Sequence, residues 1–207
     1  MGVVNGLAWT QVGGEILEVD VNVMDGSGKL EVTGNLGKVM EESAHAALSC
    51  LRSRAAVLGI AGDFYKTKDI HVHFPEGAVP KDGPSAGVTV CTAMVSALTG
   101  VTVRRDVAMT GEISLRGRVM AIGGLKEKTM AAMRNGIKTV IIPKDNERDL
   151  EEIDQTVRRQ LNFITAQTVD TVLEAALNPL PGEMAPAMLT EIPEDVSRKA
   201  RKPRLRQ

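Results

Sequence analysis

The sequence predicts a mixed fold in which strands alternate with helices. Three observations carry that reading: a period-two run at residues 15–23, a stripe of small and apolar residues at helical spacing across 38–58, and a helix at 86–98 that is apolar or small on nearly every side. A chain of 207 residues with 43% hydrophobic content can bury the core of one substantial domain, or at most two small ones, and the pattern reads as one domain with a tail.

In the first run Val19, Val21 and Val23 alternate with Glu18, Asp20 and Asn22, the pattern of a strand with one wet face. Gly26, Ser27 and Gly28 turn the chain, and residues 29–33 read as the returning strand of a hairpin, because a glycine-rich connection separates two alternating runs. Across 38–58, Val39, Ser43, Ala46, Ala47, Cys50, Leu51 and Leu58 recur three and four apart, with His45 inside the stripe, and Gly59 supplies the stop. Residues 70–74 form a short strand carrying His71 and His73 on one face, and Pro75, Gly77, Pro80 and Gly83 make the next stretch a loop.

The all-round apolarity of 86–98 means a centrally packed helix, closed by Gly100. Strands at 107–109 and 118–122 flank a turn-rich stretch at 111–117. A helix covers 125–134, with Asn135 and Gly136 as its stop, and a strand at 138–142 ends at Pro143. A helix around 147–153, a strand near 162–165 and a helix at 169–177 complete the alternation.

Composition narrows the function. Lys and Arg total 25 against 26 for Asp and Glu, so no net field draws the whole molecule to nucleic acid or anionic membrane. No apolar run approaches the ~20 residues that span a bilayer, and the first residues lack a basic stretch followed by an apolar one, so a cytoplasmic protein is expected. Cys50 and Cys91, each among apolar neighbours, are expected to be buried thiols rather than a disulfide or a metal pair. From Pro179 onward, prolines and the basic run at 198–206 read as a disordered tail. Such a tail can touch DNA or acidic lipid, although a solvated terminus is the simpler reading.

The chemistry concentrates at residues 80–87, Pro-Lys-Asp-Gly-Pro-Ser-Ala-Gly, where a restricted loop delivers Ser85 to the first turn of the buried helix. N–H groups and the positive dipole end there can stabilise negative charge on a reacting oxygen, and Gly83 and Gly87 let a substrate backbone come close. On local pattern alone, helix capping is the commoner role of such a serine. A phosphate-binding turn is a further alternative, but the P-loop pattern Gly-x-x-x-x-Gly-Lys-Ser/Thr is absent.

A nucleophilic serine needs a base. His71 and His73 with Asp82 compose an imaginable Ser-His-Asp set, although strand histidines beside a loop are more often structural or substrate-lining. A lysine serves if burial lowers its pKa until neutral amine exists at working pH. Lys126 and Lys128 both flank a stripe of Leu125, Thr129, Ala132 and Met133, so periodicity leaves that choice open.

Residues 80–87 resemble the nucleophile motif of bacterial Lon proteases. They are joined in family order by Gly-Leu-Ala-Trp-Thr at 6–10, Asp-Ile-His-Val-His-Phe-Pro-Glu-Gly at 69–77, Ala-Met-Thr-Gly-Glu at 108–112, Leu-Arg-Gly at 115–117 and Ile-Gly-Gly-Leu-Lys-Glu-Lys at 122–128. The likeness spans residues 6 to 178.

It implies an α+β fold of mixed sheets with packed helices, akin to the second domain of a small-subunit ribosomal protein. It also implies a serine endopeptidase in which Ser85 attacks, Lys128 is the base and an acyl-enzyme forms. Thr110 is expected to hydrogen-bond the lysine, and Asp82, His71, His73 and Asp20 to lie near the cleft.

No cofactor or metal is implied within this domain. ATP and Mg would serve an ATPase module that the chain lacks, so it is expected to be an excised C-terminal fragment, with residues 1–178 as the proteolytic domain and 179–207 as the tail. Unfolded or tagged proteins are the implied substrates, in a homohexameric ring. Two other readings compete: a catalytically silent scaffold or DNA-associated ring, opposed by retention of Ser85 and Lys128, and a small-molecule kinase with a glycine-serine phosphate loop, which leaves residues 123–128 unexplained.

Overall fold

The computed structural model describes residues 1–10, 13–75 and 79–178. The tail read from 179 onward lies outside the described residues. Nine strands are described: β1 (Val3–Thr10), β2 (Gly13–Asp25), β3 (Leu30–Thr33), β4 (Lys68–His73), β5 (Val107–Met109), β6 (Glu112–Ile113), β7 (Val119–Met120), β8 (Thr139–Pro143) and β9 (Asn162–Ala166). The helices are α1 (Lys38–Arg54), α2 (Phe64–Thr67), α3 (Gly87–Thr99), α4 (Leu125–Arg134), α5 (Gln155–Gln160) and α6 (Val169–Ala176).

Seven strands form one mixed sheet in the order β3-β4-β2-β1-β5-β8-β9, and β6 with β7 makes a small antiparallel ribbon. The β1–β2 and β2–β4 pairs are antiparallel; β3–β4, β1–β5, β5–β8 and β8–β9 are parallel. Alternation splits the side chains between two cores. Val4, Leu17, Val19, Val21, Met109 and Ile141 pack with α1, α3 and α6, while Leu7, Ala108, Val140 and Ile142 pack with α4 and α5 on the opposite face.

The helix α3 is buried from Gly87 through Ser96, as its all-round apolarity demands, and Gly100 ends it in the left-handed conformation. Cys50 and Cys91 are both free and buried, and the contact with Cys50, together with burial, pushes the Cys91 thiol well up, so it stays neutral.

The expected hairpin is corrected. β3 does not return along β2; β4 lies between them, antiparallel to β2 and parallel to β3. The connecting turn is organised by Asp69 of β4, whose Oδ1 accepts the N–H groups of Ser27, Gly28 and Lys29 at 2.8, 2.9 and 2.8 Å. A long-range carboxylate thus sets the turn, where residue type alone implied a local one.

Smaller differences follow the same logic. In α1 the buried stripe runs through Met40, Ser43, Ala44, Ala47, Cys50 and Leu51; Val39 and His45 face outward. The helix expected at 147–153 is a 3-10 segment, Lys144–Glu152, and α5 was not anticipated. Asp154 starts α5 by accepting the Thr156 N–H at 2.7 Å.

Candidate active site

The parallel strand β5 delivers Thr110 just beyond its last residue, where the Thr110 N–H donates to the Ile141 carbonyl at 3.1 Å. From the next segment Gly111 donates its N–H to the Ser85 carbonyl at 2.9 Å, and Val88 returns a bond to the Gly111 carbonyl at 3.1 Å. These bonds stitch the nucleophile loop to the end of β5. Ser85 itself lies in a 3-10 turn, Pro84–Ala86, that runs directly into α3.

The helix α4 brings the third group from the other face of the sheet. Its buried residues Leu125, Lys128, Thr129 and Ala132 recur at helical spacing, so Lys128 belongs to the inward stripe, whereas Lys126 is exposed. Gly124 opens α4 in the left-handed conformation, and a Cβ there would meet the Trp9 side chain at 2.8 Å. Gly14 fits still more tightly: its Cβ would fall 2.0 Å from the Glu127 carbonyl oxygen. β1 and β2 therefore grip the first turn of α4.

As a result Lys128 is 2% exposed and Thr110 1%. The Lys128 Nζ donates to Ser85 Oγ at 3.1 Å and to Thr110 Oγ1 at 3.1 Å. Burial brings the lysine down to a pKa of about 8. A serine hydroxyl beside an amine that is substantially neutral near pH 8 is an arrangement for proton abstraction and nucleophilic attack.

The sequence profile of the Lon protease (S16) C-terminal proteolytic domain matches residues 1–179. The chain belongs to this family. The Lon protease of Finegoldia magna is 62% identical over 177 residues, covering 86% of this chain and 23% of the relative. Lon protease 1 of Myxococcus xanthus is 62% identical over 177 residues, with 86% and 22% covered. The Lon protease of Vibrio parahaemolyticus is 63% identical over 177 residues, with 86% and 23% covered. The chain thus spans under a quarter of the length of these relatives.

Within this Lon proteolytic domain the remaining expected site residues lie in two places. Asp82 is on the nucleophile loop, its Oδ1 accepting the N–H groups of Met40 at 3.1 Å and Gly83 at 2.8 Å. His71, His73 and Asp20 lie on the outward face of the sheet, with Asp20 opposite His73 in the β2–β4 register. Thr33 Oγ1 is 2.8 Å from His71 Nε2 and 2.7 Å from His73 Nδ1, so the imidazoles converge on that hydroxyl rather than on Ser85.

Beside the nucleophile loop a groove of about 260 Å³ runs between Trp9, Thr10, Glu15, Met40, Val79 and Asp82. Among the described residues no group of three or more His, Cys, Asp or Glu is arranged to hold a metal, and no helix is long and apolar enough to cross a membrane. Sequence reasoning did not single out Gly14 or Gly37. The available signal was a glycine within a strand pattern and another just before a helix, both marks of close backbone approach.

Proposed function

We propose that this domain is a serine endopeptidase working through a Ser85–Lys128 dyad. The observation that carries this reading is the buried Lys128 Nζ lying 3.1 Å from both the Ser85 Oγ and the Thr110 Oγ1. The neutral amine takes the Ser85 proton as Oγ attacks the peptide carbonyl carbon, and the N–H groups opening the helix receive the oxyanion. The lysine then gives its proton to the departing amine, leaving an ester on Ser85. Water, deprotonated by the same amine, attacks the ester, releases the acid and restores the serine hydroxyl. Thr110 holds the lysine on its serine through the cycle.

Protein chains are the substrates that a family named for proteolysis acts on; unfolded or tagged proteins are the proposed class for the longer protein. There, ATP with Mg would drive a separate ATPase module, and a cytoplasmic homohexameric ring would limit access to the site. We assign proteolysis to residues 1–178 and no role to 179–207; DNA contact by that basic segment has no support beyond its charge.

Hydrolysis of a fluorogenic peptide, without ATP, tests the dyad. Ser85→Ala and Lys128→Ala are each expected to lose activity by at least about 10³-fold with the fold retained, while Lys126→Ala keeps most of it. A folded, fully active Ser85→Ala variant overturns the reading.

A further inference from the structure

The dyad chemistry leaves Asp82 without a task, although it stands three residues ahead of the nucleophile. Its carboxylate is engaged at long range. Oδ1 accepts the N–H of Met40, which belongs to the first turn of α1, where a helix has no internal partner for its N–H groups. The N-cap position of α1 is Gly37, which has no side chain to do this. Asp82 therefore caps α1 from 42 residues away in sequence.

Three more bonds run along the same seam. The Gly37 N–H donates to the Lys81 carbonyl at 2.7 Å, the Lys81 N–H to the Asn35 carbonyl at 3.1 Å, and Ser43 Oγ to the Pro84 carbonyl at 3.2 Å. Gly37 must be bare for the seam to close, since a Cβ there would lie 2.2 Å from the Asp82 carboxyl carbon. By contrast Gly83, between Asp82 and the Pro84–Ala86 turn, has a φ of 114° and nothing within 4 Å of where a Cβ would project. No side-chain packing holds the loop at that point; the seam restrains it ahead of the Pro84–Ala86 turn, and the bonds to Gly111 restrain it behind.

We propose that Asp82 is a positioning residue that latches the nucleophile loop onto the first turn of α1 and so keeps Ser85 Oγ against Lys128. This rests on the dyad reading. A latch works by accepting hydrogen bonds, which an asparagine oxygen also does. A carboxylate engaged in the chemistry works by its charge, which asparagine lacks.

The test measures kcat, KM and melting temperature for Asp82→Ala, Asp82→Asn, Gly37→Ala and the Gly37→Ala/Asp82→Ala double variant. Asp82→Ala is expected to lower kcat on the order of 10²-fold with little change in KM, the effect of a nucleophile displaced by about 1 Å. Asp82→Asn recovers kcat to within about tenfold of the parent chain, because its amide oxygen still caps. Gly37→Ala copies the alanine loss, and combining the two costs no more than either alone, since both break one seam.

An Asp82→Asn variant as poor as Asp82→Ala overturns the latch, as does a fully active Gly37→Ala or an additive double variant. Should Asp82→Ala fail to fold, Asp82→Asn and Gly37→Ala decide by the same criteria. Failure of the dyad shows separately, as a folded Ser85→Ala variant that still cleaves.

Discussion

Burying the Lys128 amine lowers its pKa from 10.5 to about 8, so the protonated form is destabilised in the fold by roughly 3 kcal/mol. The sign follows from which state releases its proton first. Below pH 8 the lysine is charged in both states and the folded state carries the whole penalty. Between about 8 and 10.5 the folded chain is neutral there while the unfolded chain remains charged, so stability rises with pH across that window. Lys128→Met is therefore expected to raise stability at pH 7 by roughly 1–3 kcal/mol, less than the full penalty because two hydrogen bonds go with the amine. Denaturant titrations at several pH values check this, and the gain should shrink as the pH approaches 10.5.

The same lysine shows what a residue-level reading could reach. Leu125, Thr129 and Ala132 are legible in the sequence as one face of α4, but Met133 shares their spacing and leaves Lys126 and Lys128 both flanking the stripe. The structure leaves Met133 only half-buried and completes the stripe with Lys128. A charged residue is not expected on a buried face, and here that exception is the residue proposed as the base. His71, His73 and Asp82 were legible as polar groups near the loop, but their partners Thr33 and Met40 come from distant segments that local spacing does not reveal.

At the scale of elements, the site depends on α4 meeting β1 and β2 at two glycines. Gly14→Ala would drive a methyl to within 2.0 Å of the Glu127 carbonyl oxygen and push the first turn of α4, with Lys128, away from Ser85. It is expected to lower kcat on the order of 10²-fold and to cost about 1–3 kcal/mol of stability. Steady-state kinetics with a thermal melt separate the two effects, and a wild-type kcat would mean that α4 is not held by this contact. Strong periodicity made α3, α4 and α6 readable in advance. The neighbour of β3 is not readable from the turn, because β4, a strand distant in sequence, pairs with both β2 and β3 and its Asp69 accepts the N–H groups of the turn.

For the whole molecule, the sheet order ends β5 beside Gly6, midway along β1, and carries α3 and α4 on opposite faces, so Ser85 and Lys128 meet beyond the end of β5. That convergence is a property of topology and was reached in advance only through family likeness. The proposed division at residue 178 predicts that a chain ended there matches the full chain in melting temperature and peptidase activity. A large loss in either would assign the basic segment to the domain.

The most direct test of the dyad is intact-protein and peptide-map mass spectrometry after reaction with a peptidyl ester across pH 6–10. One acyl adduct should form, on Ser85, with a rate rising through a midpoint near pH 8, and Lys128→Ala should remove it while leaving the fold unchanged. An adduct on another residue, or equal Ser85 labelling in Lys128→Ala, would contradict the assignment.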